Sequence, residues 1–300
     1  MLFQKRHTIP AHTEELTLPM KIMTIYAHPA DTITNCGGAL ARHADAGDDI
    51  VAVILTHGGR IHPNKYAEEM RKDNPDPAIA AAGLQDIVDN KKDELRRAAE
   101  IIGIGTVVTL DHDDILNVLQ EPMVAELAEV IAEHAPDIVI CDYPKNPVSA
   151  DSSHTIATMT ALAAIQQAGQ FLAHLDGQKE INVRQVFFTG LSVHNTDALS
   201  AYGMRNDMSV DITPVVGRKI AAMDGFVSQG YDGVFARKLV EANNGEAGRA
   251  AGVNFAEPYT RYRGETHELF PLTEQAKVTD PLTRHVSYSQ INLRADYPVS

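Results

Sequence analysis

The chain lacks the features of several protein classes. Its 300 residues contain only two cysteines, Cys36 and Cys141, too few for a disulfide framework or a cysteine-rich zinc site, so we expect both in the core. Basic residues are scarce, 26 against 40 acidic ones, giving a net charge of -14, which disfavours nucleic acid as a partner. No segment approaches the roughly 20 apolar residues that cross a bilayer, and residues 1–21 lack the apolar stretch of a signal peptide. We therefore expect a soluble, cytoplasmic protein with no nucleic-acid or membrane partner.

Short apolar, β-branched segments alternate with helical patterns over about 200 residues. This alternation predicts the α/β class: a Rossmann-like parallel sheet with helices on both faces, whose ligands bind at the carboxyl ends of the strands. The predicted strands are 21–27, 49–59, 106–114, 137–144 and 181–191; the predicted helices are 37–47, 91–104, 122–135, 153–169 and 214–229.

We expect one main domain, because chains of this length commonly form one α/β unit. Its predicted limits are residues 21–270, preceded by an extension over 1–20 and followed by an arm over 271–300. Residues 60–90, rich in proline, asparagine and aspartate, are long for a connection and suggest a loop that covers the substrate. The helical pattern weakens after about residue 230.

Two groups of potential metal ligands follow predicted strands. His28 and Asp31 come after the first strand, where the glycines at 37 and 38 are predicted to begin a helix, and Asp151, Ser153 and His154 come after the fourth. Two histidines and a carboxylate with an open position are typical of catalytic zinc. The first pair alone is a weak pattern, which a loop histidine hydrogen-bonded to an aspartate explains more readily than a metal site.

These residues resemble the LmbE/PIG-L superfamily of zinc-dependent de-N-acetylases over about residues 20–230. "AHPADT" is similar to its A-H-P-D-D-E motif, and "DSSH" matches its H-x-D-H motif at the last residue. "KKDELRRAAEIIGI" resembles its R-x-x-E helix with Lys91 for arginine, and "VDITPVVGRKIAAMDGFVSQ" resembles its D-I-T helix ending in S-Q. The resemblance implies an LmbE-like fold, a homo-oligomer, and one zinc ion per chain, or another divalent metal, held by His28, Asp31 and His154.

The chain departs from the deacetylase pattern at three acid/base positions. Ala30 replaces the aspartate base, Asp151 replaces the first histidine of H-x-D-H, and Phe226 replaces the histidine before S-Q. The changes at 30 and 226 resemble the superfamily's hydratase branch, which adds water to 4-oxalomesaconate, an unsaturated oxo-tricarboxylic acid. We therefore expect a metal-dependent hydratase. The alternatives are an N-deacetylase with a relocated base and an inactive or base-substituted metal-binding homologue.

The remaining candidate residues follow from these functions. Asp151 or His57 would transfer a proton, and Arg60 and Lys145, both after predicted strands, would bind a carboxylate substrate. Asp113 or Asp114 would orient a ligating histidine, and the resemblance assigns Glu94 a supporting role beside the first-strand loop. The substrate is expected to be a small carboxylate or an acylated molecule.

Overall fold

A computed structural model describes residues 19–60, 64–116, 118–144, 153–169, 181–189 and 206–272. Strands and helices alternate over most of these ranges, as predicted. In chain order the elements are β1 (Lys21–Tyr26), α1 (Asp31–Ala46), β2 (Asp49–Thr56), α2 (Asn64–Glu69), α3 (Pro77–Ala80), α4 (Leu84–Ile102), β3 (Thr106–His112), α5 (Glu121–His134), β4 (Ile138–Asp142), α6 (Ser153–Gln167), β5 (Gln185–Thr189), β6 (Met208–Asp211), α7 (Val216–Asp224), α8 (Val234–Val240), α9 (Glu246–Ala251) and β7 (Ala256–Arg261). Each described helix is too short or too polar to cross a bilayer.

The strands form one seven-stranded sheet in the order β3-β2-β1-β4-β5-β7-β6. The first five strands of the chain are parallel, and β7 is antiparallel to both of its neighbours. Because β2 and β4 lie on opposite sides of β1, the direction of winding reverses there, and this is where open α/β sheets place a ligand. The predicted Rossmann-like α/β class is confirmed.

Two apolar clusters cover the two faces of the sheet. Along β1, Ile22 and Tyr26 face the cluster that includes α1, α4 and α7, whereas Met23 and Ile25 face the one that includes α5 and α6. Strands buried on both faces need apolar residues at nearly every position, which explains the continuous apolar segments of the sequence. Both cysteines are buried, one in each cluster, as predicted.

The glycine pair lies within α1 rather than at its start, because α1 already begins at Asp31. A Cβ atom on Gly38 would lie 2.7 Å from Ile212 Cγ2 and 2.9 Å from Glu257 Oε1. The missing side chain leaves room for the Glu257 carboxylate, which accepts hydrogen bonds from the N–H groups of Gly38 (2.9 Å) and Ala39 (2.7 Å). Gly38 thus permits a close approach of β7 to α1.

Glu257 is the centre of a buried polar cluster behind α1. Its fully buried carboxylate also accepts from Lys219 Nζ at 2.7 Å and from the Tyr259 hydroxyl at 2.9 Å. Lys219 donates in addition to Asn244 Oδ1 at 3.2 Å. These contacts connect β7, α7 and the π-helical turn Glu241–Gly245 to α1.

Several predicted boundaries were wrong. Helix α4 begins at Leu84 rather than at residue 91, and the Asp86 carboxylate accepts from the Gly83 N–H at its start (2.8 Å). The segment 60–90 is not simply a loop, because it also contains α2 and α3. Helix α7 ends at Asp224, before a 3-10 turn over Val227–Gln229, and α8, α9 and β7 follow where the sequence pattern is weak. The proposed domain limits near residues 20 and 270 stay predictions.

Candidate metal centre

The turn between β1 and α1 presents two of the predicted ligands. His28 is buried, and Asp31 is the first residue of α1. The Asp31 carboxylate accepts from the His28 backbone N–H at 2.8 Å and lies 3.3 Å from His28 Nδ1. A carboxylate at the start of a helix is also favoured by the helix dipole. Local backbone geometry therefore holds the His-x-x-Asp pair together.

Helix α6 brings the third predicted ligand to this turn. His154, its second residue, has Nδ1 3.6 Å from Asp31 Oδ2, and its ring lies edge-on to that of His28 with centroids 4.9 Å apart. One ligand atom from each of the three residues lies within 4.8 Å of the others. The preceding Ser153 places Oγ 3.2 Å from His28 Nε2. The structure thus brings together the candidate metal group His28, Asp31 and His154.

Asp142, at the end of β4, orients His154. Its Oδ2 lies 2.8 Å from His154 Nδ1, and its Oδ1 accepts from Asn35 Nδ2 (3.0 Å) and Thr189 Oγ1 (3.3 Å). A carboxylate on the second nitrogen of a ligating histidine fixes the orientation of the ring and raises its basicity. The predicted residue for this role was Asp113 or Asp114, and Asp142 was not predicted, although its position at a strand end was the available signal.

Asp142→Asn is expected to weaken Zn²⁺ binding about 10- to 100-fold, because an amide orients the ring less strongly and does not raise its basicity. Competition with a chromophoric chelator measures the dissociation constant. Asp93→Asn, which changes an exposed aspartate on α4, is the matched control. Equal affinities for the two variants would contradict the assigned role of Asp142.

The three ligands interact strongly in the metal-free protein. Burial disfavours the charged form of His154, but Asp31 and Asp142 outweigh this effect and raise its pKa to about 10. Burial also acts to raise the pKa of Asp31, yet His154 and His28 hold it well below its usual range. An aspartate paired with a protonated histidine is a site where a divalent cation can replace a proton, so the donor set fits a metal ion.

Metal affinity should consequently rise with pH. Below about pH 10 the metal-free His154 is protonated, and it must lose that proton to bind a cation. The Zn²⁺ association constant is expected to increase about tenfold per pH unit between pH 6 and 8, with about one proton released from His154. Calorimetry in buffers of different ionisation enthalpy measures the release. A constant affinity over this range would contradict a protonated His154.

The positions where deacetylases have acid/base groups are apolar in the described part of this site. Ala30 is 1% exposed and Phe226 is 0% exposed, and both belong to the apolar cluster beneath α1. Neither side chain can accept or donate a proton. Asp151, at the third such position, and Lys145 lie outside the described residues.

The loop after β2 is held beside the first turn. The buried Asp114 carboxylate accepts from the N–H groups of Gly58 (2.5 Å) and Arg60 (2.6 Å) and lies 3.4 Å from His57 Nδ1. A Cβ on Gly58 would come within 2.6 Å of Pro29 Cδ, so this loop adjoins the metal group. The half-exposed Arg60 donates from Nε to Asp113 Oδ2 at 2.8 Å. Asp113 therefore orients Arg60.

Glu94 supports a different segment from the one expected. Its buried carboxylate accepts from the Ser228 N–H (2.8 Å) and hydroxyl (2.6 Å), so it holds the turn after α7. One helical turn earlier on α4, Lys91 is 1% exposed. Burial lowers its pKa to about 8 despite the opposing charges of Glu94, Asp114 and Asp31. The resemblance alone did not indicate these contacts.

Comparison with known proteins agrees with this geometry. The family model for GlcNAc-PI de-N-acetylase, PIG-L, matches residues 23–165, the range that contains the whole metal group. Over these residues the chain is similar to the LmbE/PIG-L superfamily. The 4-oxalmesaconate hydratase of Pseudomonas putida is 26% identical over 234 residues, 78% of this chain and 83% of the hydratase. The diacetylchitobiose deacetylase of Thermococcus kodakarensis is 25% identical over 210 residues, 70% of each chain.

Solved structures share the fold of this chain. The crystal structure of 4-carboxy-2-hydroxymuconate hydratase from Pseudomonas putida covers 84% of this chain and 100% of its own, with a TM-score of 0.69 at 23% identity. The relatives are enzymes of two reaction types, hydratase and deacetylase. They support an enzyme of this superfamily.

Proposed function

We propose that this chain is a zinc-dependent hydratase that adds water across the double bond of an unsaturated oxo-carboxylic acid of the 4-oxalomesaconate type. In this reaction the oxygen of water bonds to one carbon of the double bond, and a proton is added to the other carbon. One observation carries the proposal: the metal group is complete, whereas positions 30 and 226 are apolar and buried. The similarity to 4-oxalmesaconate hydratase supports it.

His28, Asp31 and His154 would hold the ion. Two histidines and a carboxylate are characteristic ligands of catalytic zinc, and the same donors also accept iron or manganese. A bound divalent ion would supply a Lewis acid that polarises a carbonyl or carboxylate oxygen. Metal analysis of the purified protein identifies the ion.

The loop after β2 would supply residues that bind the substrate carboxylate and transfer a proton. Arg60, with Nε bound by Asp113 and its guanidinium half-exposed, would bind a substrate carboxylate through its remaining N–H groups. His57 Nδ1 accepts a hydrogen bond from the Gly59 N–H at 3.0 Å, which would orient the ring for proton transfer through Nε2. Lys145 and Asp151 keep their proposed roles as a second carboxylate-binding residue and a second proton-transfer residue.

The second candidate is an N-deacetylase with a relocated base. The similarity to diacetylchitobiose deacetylase favours it, as does His57, whose ring is held by the Gly59 N–H, because histidine is a common general base. Here His57 would take over the task of the missing aspartate at position 30.

Two assays on the same metal-analysed sample decide between these functions. The first follows the loss of the conjugated chromophore of 4-oxalomesaconate, and the second follows amine release from diacetylchitobiose. Zinc with chromophore loss is the expected result, and Ala30→Asp should then gain no deacetylase activity. Amine release without chromophore loss would replace the proposal by the second candidate, and zinc with neither reaction would indicate a metal-binding homologue without this activity.

A further inference from the structure

The last residue of β5 contacts the carboxylate that orients His154. Thr189 pairs with Asp142 in the register of β4 and β5, and it is 1% exposed. Its Oγ1 lies 3.3 Å from Asp142 Oδ1 and 3.3 Å from the Cys141 carbonyl oxygen. Tyr26, the fully buried last residue of β1, donates its hydroxyl to Thr189 Oγ1 at 3.2 Å. Three strands thus bring polar side chains from their last residues into contact.

These hydrogen bonds have one direction. An ionised Asp142 carboxylate can only accept, so the Thr189 hydroxyl donates to it and accepts from Tyr26. Asp142 Oδ1 also accepts from Asn35 Nδ2 at 3.0 Å, which leaves Oδ2 for His154 Nδ1 at 2.8 Å. Because the carboxylate is the acceptor in this contact as well, Nδ1 carries the proton, and Nε2 is the nitrogen of His154 that can bind a metal ion.

We propose that Thr189 is a positioning residue of the metal group. Its hydroxyl would fix the rotation of the Asp142 carboxylate and, through it, the ring of His154 with Nε2 toward the ion. A carboxylate can orient a ligating histidine only if the carboxylate is itself held in place. The inference rests on the metal ion of the proposed function but not on the choice of reaction, because hydratase and deacetylase would use the same three ligands.

Two variants of Thr189 separate the hydroxyl from the rest of the side chain. Thr189→Val removes the hydroxyl and keeps the branched shape that suits a strand, whereas Thr189→Ser keeps the hydroxyl. The matched control is Thr160→Val, which removes another fully buried threonine hydroxyl, one that donates to the Ile156 carbonyl at 2.8 Å within α6. Competition with a chromophoric chelator measures the Zn²⁺ dissociation constant, and thermal unfolding of the metal-free protein measures stability.

Thr189→Val is expected to weaken Zn²⁺ binding about 10-fold, whereas Thr189→Ser and Thr160→Val should stay within about twofold of the parent. A threonine with only a structural role would change thermal stability and leave the Zn²⁺ constant unchanged. In an Asp142→Ala background, adding Thr189→Val should weaken binding by at most about twofold. A residue that acts through the Asp142 carboxylate loses its effect when that carboxylate is absent.

Three results would contradict this role. Equal Zn²⁺ affinity in Thr189→Val and the parent would overturn the positioning role itself. A loss that Thr189→Ser does not restore, or one that persists in full in the Asp142→Ala background, would overturn the action of the hydroxyl through Asp142. A parent that binds no Zn²⁺ would overturn the metal group of the proposed function, and this role with it.

Discussion

His154→Ala is expected to remove both metal binding and catalytic activity. His154 supplies one of only three ligand atoms in the described metal group, and alanine leaves His28 and Asp31, which form no three-ligand site. The purified variant should contain much less than one zinc ion per chain. The rate of chromophore loss should fall to the rate measured in buffer without enzyme. The fold should persist, because the side chain of His154 lies at the cleft and outside both apolar clusters.

A second histidine variant controls for general effects of the substitution. His43→Ala changes a partly exposed residue near the end of α1, whose Nδ1 lies 2.7 Å from Asp48 Oδ2. This variant should retain full zinc content and activity. Elemental analysis and the ultraviolet assay on both variants form the test. Full zinc content and activity in His154→Ala would show that another residue completes the site.

Lys219→Met is expected to destabilise the protein by about 3–5 kcal/mol, the usual cost of leaving a buried charge without its ionic partner. Lys219 Nζ lies 2.7 Å from Glu257 Oε1, and both side chains are almost fully buried. Methionine has similar length and fills the space, so the loss reports the uncompensated carboxylate rather than a cavity. Urea unfolding monitored by circular dichroism measures the change in the free energy of unfolding.

The double variant Lys219→Met/Glu257→Gln separates this explanation from a simple packing effect. Removing the carboxylate charge should recover part of the lost stability, although the amide replaces one of the two acceptor oxygens that bind the N–H groups of Gly38 and Ala39. A double variant less stable than Lys219→Met would argue against charge burial as the cause. An unchanged single variant would argue against any contribution of the ion pair.

The metal group could be predicted from the sequence because its residues follow directly from local rules. His28 and Asp31 come after an apolar strand, His154 begins a helix after another, and parallel strands bring their carboxyl ends to one edge. The end of β4 is also where Asp142 lies, but this position alone does not show which residues its carboxylate contacts. Its contacts with Asn35 and Thr189 join segments 107 and 47 residues apart, and no local spacing encodes such pairs.

The elements of the fold likewise divide into those that local sequence predicts and those that depend on distant residues. Continuous apolar segments predicted the parallel strands, since a strand buried on both faces has little freedom in composition. Strand β7 was missed because it contains a glutamate, a proline and an arginine, so its sequence does not show the apolar pattern of a buried strand. Its glutamate is tolerated only through the lysine, tyrosine and backbone donors that surround it in space. The glycine pair was misinterpreted for the related reason that its close neighbours, Ile212 and Glu257, are far away in sequence.

The hydrogen bonds that Glu257 accepts from α1 have a consequence for the order of assembly during synthesis. They join residues 219 and 218 positions apart, and contacts of such separation form late because a long loop must close first. The ribosome delivers Asp31 well before Glu257, so the helix that begins at Asp31 gains these buried partners only when β7 has emerged. A nascent chain therefore carries Asp31 on an incompletely anchored helix even after His154 has been synthesised, and the candidate metal group is fully supported only once β7 has joined the sheet.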